Sequence, residues 1–405
     1  MMEPLPNSQA KQPASPGLVL SGGGARGAYQ VGVISALAER CPGPLPFPVI
    51  TGVSVGAINA AVLAEGADDF PRAAAKLEAL WRGLRSEDIF ATDVASMARQ
   101  LTGWGLTVGF GWAGAKPPPS FLDVAPLEEL LVREIDFSRI AQMIEAGVLR
   151  ALAVTASSYT SGHSTTFFQG EGPRGAWSRS RRRGERTAID HRHILASAAL
   201  PGVFEARRIG DEWYGDGALR QLAPLSPAIH LGCDRLLMIA ARDGTPDTED
   251  LPLTDETYPT PGLIAGQLLD IIFNDNLDAD LERLHRINDT LLTMMPERRR
   301  ETDLRPVGTM MLRPSEDIRD LAGVHAAEAP WTVKALLGVL GARRPPWVLP
   351  SYLTFEAGYI GSLIDLGRKD AGAAMDSVLA LLSGPLLDAV GVPLKQAGTV
   401  ARSGA

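Results

Sequence analysis

Ser54, within Gly52-Val53-Ser54-Val55-Gly56, is the residue of this sequence best suited to covalent chemistry. The apolar run at 47–51 before it is typical of a strand, and the small-residue run at 55–65 after it is typical of a helix. A strand that turns abruptly into a helix through Gly-x-Ser-x-Gly is a nucleophile elbow, in which flanking glycines let the two backbones approach and the serine hydroxyl is exposed. The motif therefore predicts Ser54 as a nucleophile, with Gly52 and Gly56 as the glycines that the turn requires.

A second turn, Gly22-Gly23-Gly24-Ala25-Arg26-Gly27, also connects a short apolar strand, at 18–20, to a predicted helix at 27–40. Backbone N–H groups at a helix N-terminus can stabilise an oxyanion, so this turn is a candidate oxyanion hole. The same residues satisfy G-x-G-x-x-G, the dinucleotide fingerprint, which requires an acidic residue at the end of the second strand. Here that strand ends at Thr51 and continues directly into the Ser54 motif, which argues against NAD binding. A nucleophile and an oxyanion hole together indicate an acyl hydrolase.

Asp216 is the preferred candidate for the base that would activate Ser54. It ends a short strand in Trp213-Tyr214-Gly215-Asp216-Gly217-Ala218, where glycines let its carboxylate approach another backbone. An ordinary Asp-Gly turn is the alternative interpretation of this motif. The sequence does not exclude a Ser-His-Asp triad, but it does not support one. None of the histidines follows a buried strand with an acidic partner placed before it. The histidines are His163, His191, His193, His230, His285 and His325.

The composition is that of a globular protein, with 405 residues, 45% hydrophobic and 21% charged. A net charge of −8 argues against a general nucleic-acid binder. Cys41 and Cys233 are too few for a disulfide framework and are interpreted as packed residues in a reducing compartment. The sequence has neither a Cys/His cluster nor an acidic calcium loop, so no metal or organic cofactor is expected.

Strand and helix patterns alternate from 17 to about 243, which predicts an α/β protein with a parallel sheet. Residues 1–16, with four prolines, are interpreted as a disordered leader, and the irregular stretch 86–125 as either a lid or loop packing. The pattern predicts one long amphipathic helix from Ile264 to Asn288 and a helical C-terminal extension over 314–405, with helices at about 314–325, 331–340 and 353–366. No run reaches the ~18 apolar residues of a membrane span, so a cytoplasmic protein is expected, with peripheral membrane contact left open.

Residues 170–188 form a predicted loop with five arginines between positions 179 and 186. One interpretation is a solvated loop. The other is a surface that contacts anionic lipid head groups, since basic residues are attracted to such surfaces. The residues concerned are Arg179, Arg181, Arg182, Arg183 and Arg186.

Segments 18–27 and 52–56, together with Asp216-Gly217-Ala218, resemble the three motifs of the patatin-like phospholipase family, in the family's order. The stretches at 196–204 and 231–234 resemble it too. One departure is Ser21, where many relatives carry aspartate. We expect little effect, because the neighbouring amides would do the chemistry.

The resemblance implies a three-layer α/β/α fold related to the α/β-hydrolases, with a mainly parallel sheet and a catalytic domain at 17–313. It implies a Ser54–Asp216 dyad in which Asp216 is the general base, and lipid or phospholipid esters as substrates. A non-catalytic lipid-binding or regulatory module, and an esterase or thioesterase acting on short soluble acyl groups, are the alternatives. The remaining motif residues it assigns are the oxyanion-hole residues Gly22, Gly23, Gly24 and Arg26 and the motif glycines Gly27, Gly52, Gly56 and Gly217.

Overall fold

The computed structural model describes residues 15–91, 102, 120, 122–173, 177–242 and 258–383. A mixed sheet lies at the centre of this part of the chain, with the strand order β10-β9-β1-β2-β3-β4-β6-β5. The strands β7 and β8 form a hairpin that joins the sheet through β8 and β3. In chain order the strands are β1 Ser15–Leu20, β2 Val49–Val53, β3 Ala151–Ser158, β4 Ser164–Gly170, β5 Ser178–Arg179, β6 Arg182–Arg186, β7 Arg207–Ile209, β8 Glu212–Asp216, β9 Cys233–Ile239 and β10 Gly308–Leu312.

The five strands from β10 to β3 run parallel to one another, while β4, β5, β7 and β8 each make an antiparallel pair. Alternate residues of the parallel strands enter two separate cores. In β1, for example, Leu18 and Leu20 belong to one core and Val19 to the other. A strand that is buried on both faces is apolar throughout, which explains its continuous hydrophobic run. Helices cover both faces, so the predicted three-layer α/β/α fold with a mainly parallel sheet is confirmed.

Helices follow most of the strands. Within the described ranges, none is both long and apolar enough to cross a bilayer. Their bounds are α1 Gly27–Arg40, α2 Val55–Glu65, α3 Phe70–Gly83, α4 Ser86–Ile89, α5 Ala125–Glu134, α6 Phe137–Glu145, α7 His191–Ala198, α8 Ser226–His230, α9 Pro261–Asp270, α10 Asn276–Thr293, α11 Pro296–Arg300, α12 Ile318–Val324, α13 Trp331–Val339, α14 Val348–Leu353 and α15 Ala357–Ser383. Short 3₁₀ turns occupy Gly24–Arg26 and Gly217–Leu219.

Strands occupy parts of two segments for which the sequence predicts none, the leader and the loop at 170–188. Ser15 and Pro16, assigned to the leader, belong to β1, because they pair with Cys233 and Arg235 of β9. The predicted loop at 170–188 holds β5 and β6, and β6 pairs in parallel with β4. The rest of the leader and most of the 86–125 segment lie outside the described residues. Both cysteines are free thiols, in keeping with the interpretation that they form no disulfide.

The C-terminal helices differ from the predicted pattern in two places. The expected long helix at 264–288 is divided into α9 and α10 by a π turn, Ile271–Asp275. The predicted helix at 353–366 is interrupted at 354–356, and α15 then continues to Ser383. This last helix crosses α1 in close contact, since a Cβ on Gly32 would lie 2.0 Å from the Ile364 oxygen.

Candidate active site

Ser54 occupies the tight turn between β2 and α2. Its φ and ψ are 54° and −128°, a conformation that costs of order 1–3 kcal/mol in a residue other than glycine. The flanking glycines allow the turn, because a Cβ on Gly52 would lie 2.3 Å from the Gly56 oxygen, and one on Gly56 would lie 2.3 Å from the Leu20 oxygen. The backbone is therefore that of a nucleophile elbow. In contrast to the exposed hydroxyl expected from the motif, Ser54 is only 6% exposed.

Ser197 of α7 fixes the elbow from the side. The Ser54 N–H donates to Ser197 Oγ at 2.9 Å, and Ser197 Oγ donates to the Thr155 carbonyl oxygen at 2.6 Å. The elbow is thereby tied to β3 through one buried side chain. No role for Ser197 follows from the sequence alone. The sequence feature that could have indicated one is its place in the small-residue run before Asp216.

Strand pairing brings Asp216 to the elbow. Val53 of β2 is paired with Thr155 of β3, and Ala156, the next residue of β3, is paired with Asp216 of β8. The Asp216 N–H donates to the Ala199 oxygen at 2.8 Å, which fixes its backbone. The two residues of the predicted dyad therefore meet at the carboxyl ends of β2 and β3, although 162 positions separate them in sequence.

The Asp216 carboxyl group is completely buried. Its Oδ1 accepts a hydrogen bond from the Ala218 N–H at 2.9 Å, while Oδ2 has no hydrogen-bond partner of good geometry in the described chain. Burial raises the pKa of Asp216 to about 7, against the opposing effects of the Ser54 hydroxyl and the Ala218 N–H. Among the described residues, no cation contributes to this shift. A carboxylate with a pKa near neutrality and an unused oxygen beside a serine has the properties of a general base.

The glycine-rich turn lies against the elbow. A Cβ on Gly22 would lie 3.1 Å from Ser54 Cβ, so the start of the turn adjoins the nucleophile. In the described residues, the N–H groups of Gly22, Gly23 and Gly24 donate to no protein acceptor. The Arg26 N–H instead donates to the Gly23 oxygen at 3.2 Å. The turn that adjoins Ser54 at Gly22 thus has three amide donors without a protein acceptor among the described residues, and Arg26 is not one of them.

The two remaining motif glycines allow close packing around the dyad. A Cβ on Gly27 would lie 2.7 Å from Val55 Cγ2, and one on Gly217 would lie 2.0 Å from the Thr155 oxygen. Any side chain at either position would displace α2 or β3, which carry or support Ser54.

The histidines, all within the described residues, make their contacts elsewhere. His193, for example, caps α7 with Asp190, at 2.8 Å between Nδ1 and Oδ1, and His325 binds Glu328 and Ser362. No hydrogen bond or ion pair of the histidines involves Ser54 or Asp216. The described part of the chain also has no cluster of three His, Cys, Asp or Glu residues that could hold a metal ion.

The order of strand, glycine turn, elbow and Asp-Gly motif agrees with a known sequence family. Residues 18–229, slightly more than half of the chain, match the model of that family, patatin-like phospholipase. The chain belongs to the patatin-like phospholipase family. The matched range contains Ser54, Asp216 and the glycine turn, but ends before α9.

Similarity to individual proteins is more local. A lysophospholipase nte1 of Aspergillus terreus is 46% identical over 74 residues, which are 17% of this chain and 5% of that protein. A patatin-like phospholipase domain-containing protein of Caenorhabditis elegans is 43% identical over the same length, with the same coverage. The chain thus matches only a small part of these curated relatives.

Solved structures resemble the chain over most of its length, but weakly. VipD from Legionella pneumophila has a TM-score of 0.39 at 12% identity, with 91% of this chain and 68% of VipD covered. Human GIVD cytosolic phospholipase A2 has a TM-score of 0.45 at 11% identity, with 91% and 60% covered.

In this patatin-like chain, the Arg26 side chain points to the C-terminal helices. Its Nη1 lies 2.8 Å from Asp270 Oδ1, and its Nε and Nη2 donate to Ser351 Oγ at 2.9 and 2.7 Å. The guanidinium also lies over the Tyr352 ring, 3.7 Å from its centroid. Arg26 is 1% exposed. The glycine turn, inside the family match, is therefore anchored to α9 and α14, which lie outside it.

The five arginines of 179–186 are not equivalent. Arg183 binds Glu212 at 2.9 Å and Glu185 at 2.8 Å, so its charge is neutralised. Arg186 stacks on Phe168 and is exposed. Arg179 and Arg181 are exposed at the tip of the β5–β6 hairpin, and Arg182 is partly exposed.

Proposed function

We propose that this protein is a serine acyl hydrolase that cleaves fatty-acyl esters of phospholipids or related lipids through a Ser54–Asp216 dyad. The observation that supports it most strongly is the buried Asp216 carboxyl group beside the elbow, with a pKa near 7 and one oxygen that accepts no hydrogen bond of good geometry from the described residues. The free N–H groups of the glycine turn next to Ser54 supply the second requirement of acyl transfer. Family membership, and the lysophospholipase names of the similar curated proteins, support a lipid ester as substrate.

The first half of the proposed reaction forms an acyl-enzyme. Asp216 accepts the proton of Ser54 Oγ as the oxygen attacks the ester carbonyl carbon, and the N–H groups of Gly22 to Gly24 stabilise the resulting oxyanion. The tetrahedral intermediate then breaks its bond to the alcohol oxygen. The proton held by Asp216 passes to this leaving group, so the carboxylate is restored.

In the second half, water replaces the alcohol. Asp216 takes a proton from the water as its oxygen attacks the acyl carbon, and the same amides stabilise the second oxyanion. The intermediate releases Ser54 Oγ, which takes the proton back, and the fatty acid leaves. Because one carboxylate serves both halves, no histidine is required.

Labelling by an alkyl fluorophosphonate tests this function directly. Ser54 Oγ should attack the phosphorus and displace fluoride, giving one phosphonylated serine per chain, and Ser54→Ala should remain unlabelled. Because Asp216 acts as a base only when deprotonated, the second-order rate should rise about tenfold per pH unit below pH 7 and level off above it.

Peptide mapping after labelling identifies the modified serine, and turnover of a lysophospholipid and of a short soluble ester identifies the substrate class. No label would favour a non-catalytic lipid-binding module, and label on another residue would reject Ser54 as the nucleophile. Turnover restricted to short soluble esters would favour the esterase alternative.

The glycine turn provides a second test. We expect Gly24→Val to lower kcat by about 10²–10³-fold, the effect of losing one oxyanion donor. Gly24 has φ of +56°, and a Cβ there would lie 2.4 Å from the Tyr352 oxygen, so the turn must move. Steady-state kinetics on a soluble ester measures the change. Gly83→Val is the matched control, since no atom of the described residues lies within 4 Å of a Cβ at that position. A rise in KM alone would instead place the turn in ground-state binding.

We also propose that the exposed arginines at the β5–β6 tip contact anionic lipid. Arg182 pairs with Ser164, which pairs with Ser157 beside the Asp216 position, so the tip lies at the active-site end of the sheet. Each basic residue near an anionic surface contributes about 1 kcal/mol, and salt weakens the attraction.

Replacing Arg179 and Arg181 together by serine should therefore weaken binding to anionic vesicles by about 30-fold at low salt. Cosedimentation with phosphatidylserine-containing vesicles at two salt concentrations measures this effect. Binding to neutral vesicles and cleavage of a soluble ester should be unchanged. The control is Arg72→Ser, an exposed arginine on α3. Equal losses in all assays would show that the hairpin is needed for the fold. No loss in any assay would favour the interpretation that the segment is only a solvated loop.

A further inference from the structure

A π turn places an aromatic ring next to the nucleophile. The turn, Ile271–Asp275, inserts one residue between α9 and α10, and such insertions within α-helices are frequent at functional sites. Phe273, at its centre, is 6% exposed, whereas Ile271 is 51% exposed. Phe273 therefore faces the interior, where it lines a cavity together with Leu20 and Val53, the last residues of β1 and β2.

Phe273 lies against the glycine turn on the side that faces Ser54. A Cβ on Gly22 would lie 2.4 Å from Phe273 Cδ1 and 3.1 Å from Ser54 Cβ. The ring edge and the nucleophile thus approach the same side of Gly22. An aromatic side chain thus lies beside the nucleophile across Gly22.

Buried hydrogen bonds hold the π turn in place. Phe273 stacks on Tyr352 at 5.6 Å between ring centroids. The Tyr352 hydroxyl donates to Asp270 Oδ1 at 2.6 Å, and Asn274 Nδ2 donates to the Asp270 carbonyl oxygen at 3.1 Å. The ring position is consequently set by a polar network on both sides of the turn.

The ring also lines a narrow cavity of about 20 Å³. Its other apolar lining residues include Ile272 of the π turn, Leu20 and Val53 at the strand ends, and Ala218, and polar residues such as Thr51 and Gln221 line it as well. The space is comparable to that of one or two water molecules, so an acyl chain enters this cavity only if the ring moves. Its lining includes Val53, the neighbour of Ser54, and Ala218, two positions after Asp216, so the cavity lies close to the dyad.

We propose that Phe273 determines acyl-chain specificity, by filling the space beside Ser54 that a long acyl chain would occupy. This inference rests on the proposed acyl hydrolase function and adds the residue that limits the acyl group. With the ring in place the space for the acyl chain is limited, so shorter acyl groups are favoured, and a smaller side chain at position 273 enlarges the cavity that Leu277 also lines.

The test compares kcat/KM for p-nitrophenyl decanoate and p-nitrophenyl butyrate, both below micelle-forming concentrations. Phe273→Ala should raise the decanoate-to-butyrate ratio at least tenfold over that of the unmodified protein, and Phe273→Trp should lower it. Phe273→Leu, which retains an apolar side chain, should raise the ratio less and provides a milder substitution should the alanine variant not fold.

Two controls separate specificity from other effects. Phe355→Ala removes an equally buried ring that packs on Trp81, so it reports general destabilisation. Ile271→Ala removes an exposed apolar side chain of the same π turn, so it reports changes at the surface of this segment. Both variants should keep the ratio of the unmodified protein.

An unchanged ratio in the Phe273 variants of an active enzyme would overturn this inference and leave the proposed function standing. Equal changes in Phe355→Ala or Ile271→Ala would also overturn it. If the unmodified protein neither cleaves either ester nor reacts with an alkyl fluorophosphonate, both the function and this inference fail.

Discussion

Replacing Ser54 by alanine should reduce ester hydrolysis by about 10⁴-fold or more, and replacing Asp216 by asparagine should have a comparable effect. Alanine removes the attacking oxygen, whereas asparagine keeps the shape of Asp216 but cannot accept the serine proton. Since the two residues act on the same step, the double variant should be hardly worse than either single one. Initial rates with a soluble ester and with a lysophospholipid measure all three variants.

The matched control is Asp211→Asn, the same exchange at a fully exposed position of the β7–β8 hairpin. It should retain normal activity. A double variant far less active than both singles, or an active Asp216→Asn protein, would contradict the dyad. A histidine substitution as damaging as Ser54→Ala, in a folded protein, would restore the triad.

The raised pKa of Asp216 also determines how the stability of the unmodified protein depends on pH, a dependence that Asp216→Asn should lack. The unfolded chain releases this proton near pH 4 and the folded protein near pH 7. Between these values the folded state holds more protons, so the contribution of Asp216 to stability falls as pH rises from about 4 to about 7. An asparagine side chain does not titrate, so Asp216→Asn avoids this loss of stability at high pH. Loss of its activity at pH 8 is therefore not expected to come from unfolding.

The sequence predicts those parts of the protein that depend on local pattern. The bounds of α1 and α2 match the predicted helices, because each begins directly after a glycine-rich strand-to-helix turn. The strand β9, Cys233–Ile239, falls within the alternating strand and helix patterns predicted for 17–243, because a buried parallel strand is apolar throughout.

The C-terminal helix shows where the local pattern is insufficient. The periodicity predicts Leu268 and Ile271 on the same inward face as Leu277 and Leu281. The last two are buried, but Leu268 and Ile271 are 53% and 51% exposed. This part of the prediction was wrong, because nine residues at about 100° each place Leu268 and Leu277 on opposite sides of a straight α-helix, and the π turn between them changes the helix face again. Asp270 and Asn274 are polar residues on either side of this change, and both are buried. Their positions in the sequence indicate the change, because polar residues rarely lie in a helix core without a partner.

Residues that act across long sequence separations could not be recognised from the sequence. Ser197 lies 143 positions from the elbow that it holds, and Asp270 lies 244 positions from Arg26. Neither belongs to a repeated or periodic pattern that would reveal its partner. The motif residues Ser54 and Asp216 were accessible because their tight turns require particular neighbouring glycines, whereas these supporting contacts depend only on the tertiary fold.

The ion pair between Arg26 and Asp270 should have the largest effect on stability. Both side chains are almost completely buried, so Arg26→Ala leaves the Asp270 carboxylate without its cation in a region that excludes water. Removing one partner of a buried pair costs about 3–5 kcal/mol. Burial alone would lower the pKa of Arg26, but Tyr352 and Asp270 raise it above its usual value, so the guanidinium stays charged. Asp270→Asn should be destabilising for the reciprocal reason.

Urea unfolding with the double variant Arg26→Met/Asp270→Leu separates the charge from the packing. Because two apolar residues leave no buried charge, this variant should lose less free energy of unfolding than Arg26→Ala. Arg82→Ala is the control: its partners include Asp365, 71% exposed, and removal of such an exposed ion pair costs about 1 kcal/mol or less.

Kinetic measurements on Arg26→Ala show whether Arg26 positions the glycine turn or only stabilises the fold. Arg26 follows the glycines whose amides would stabilise the oxyanion, and its guanidinium holds that turn against α9 and α14. In the temperature range where Arg26→Ala remains folded, kcat should therefore fall while KM changes little, since only the transition state carries the oxyanion. A folded Arg26→Ala protein with normal kcat would show that the C-terminal helices contribute to stability alone. A lowered kcat in Arg26→Met/Asp270→Leu, despite its recovered stability, would instead show that the glycine turn needs the guanidinium fork and not merely a filled core.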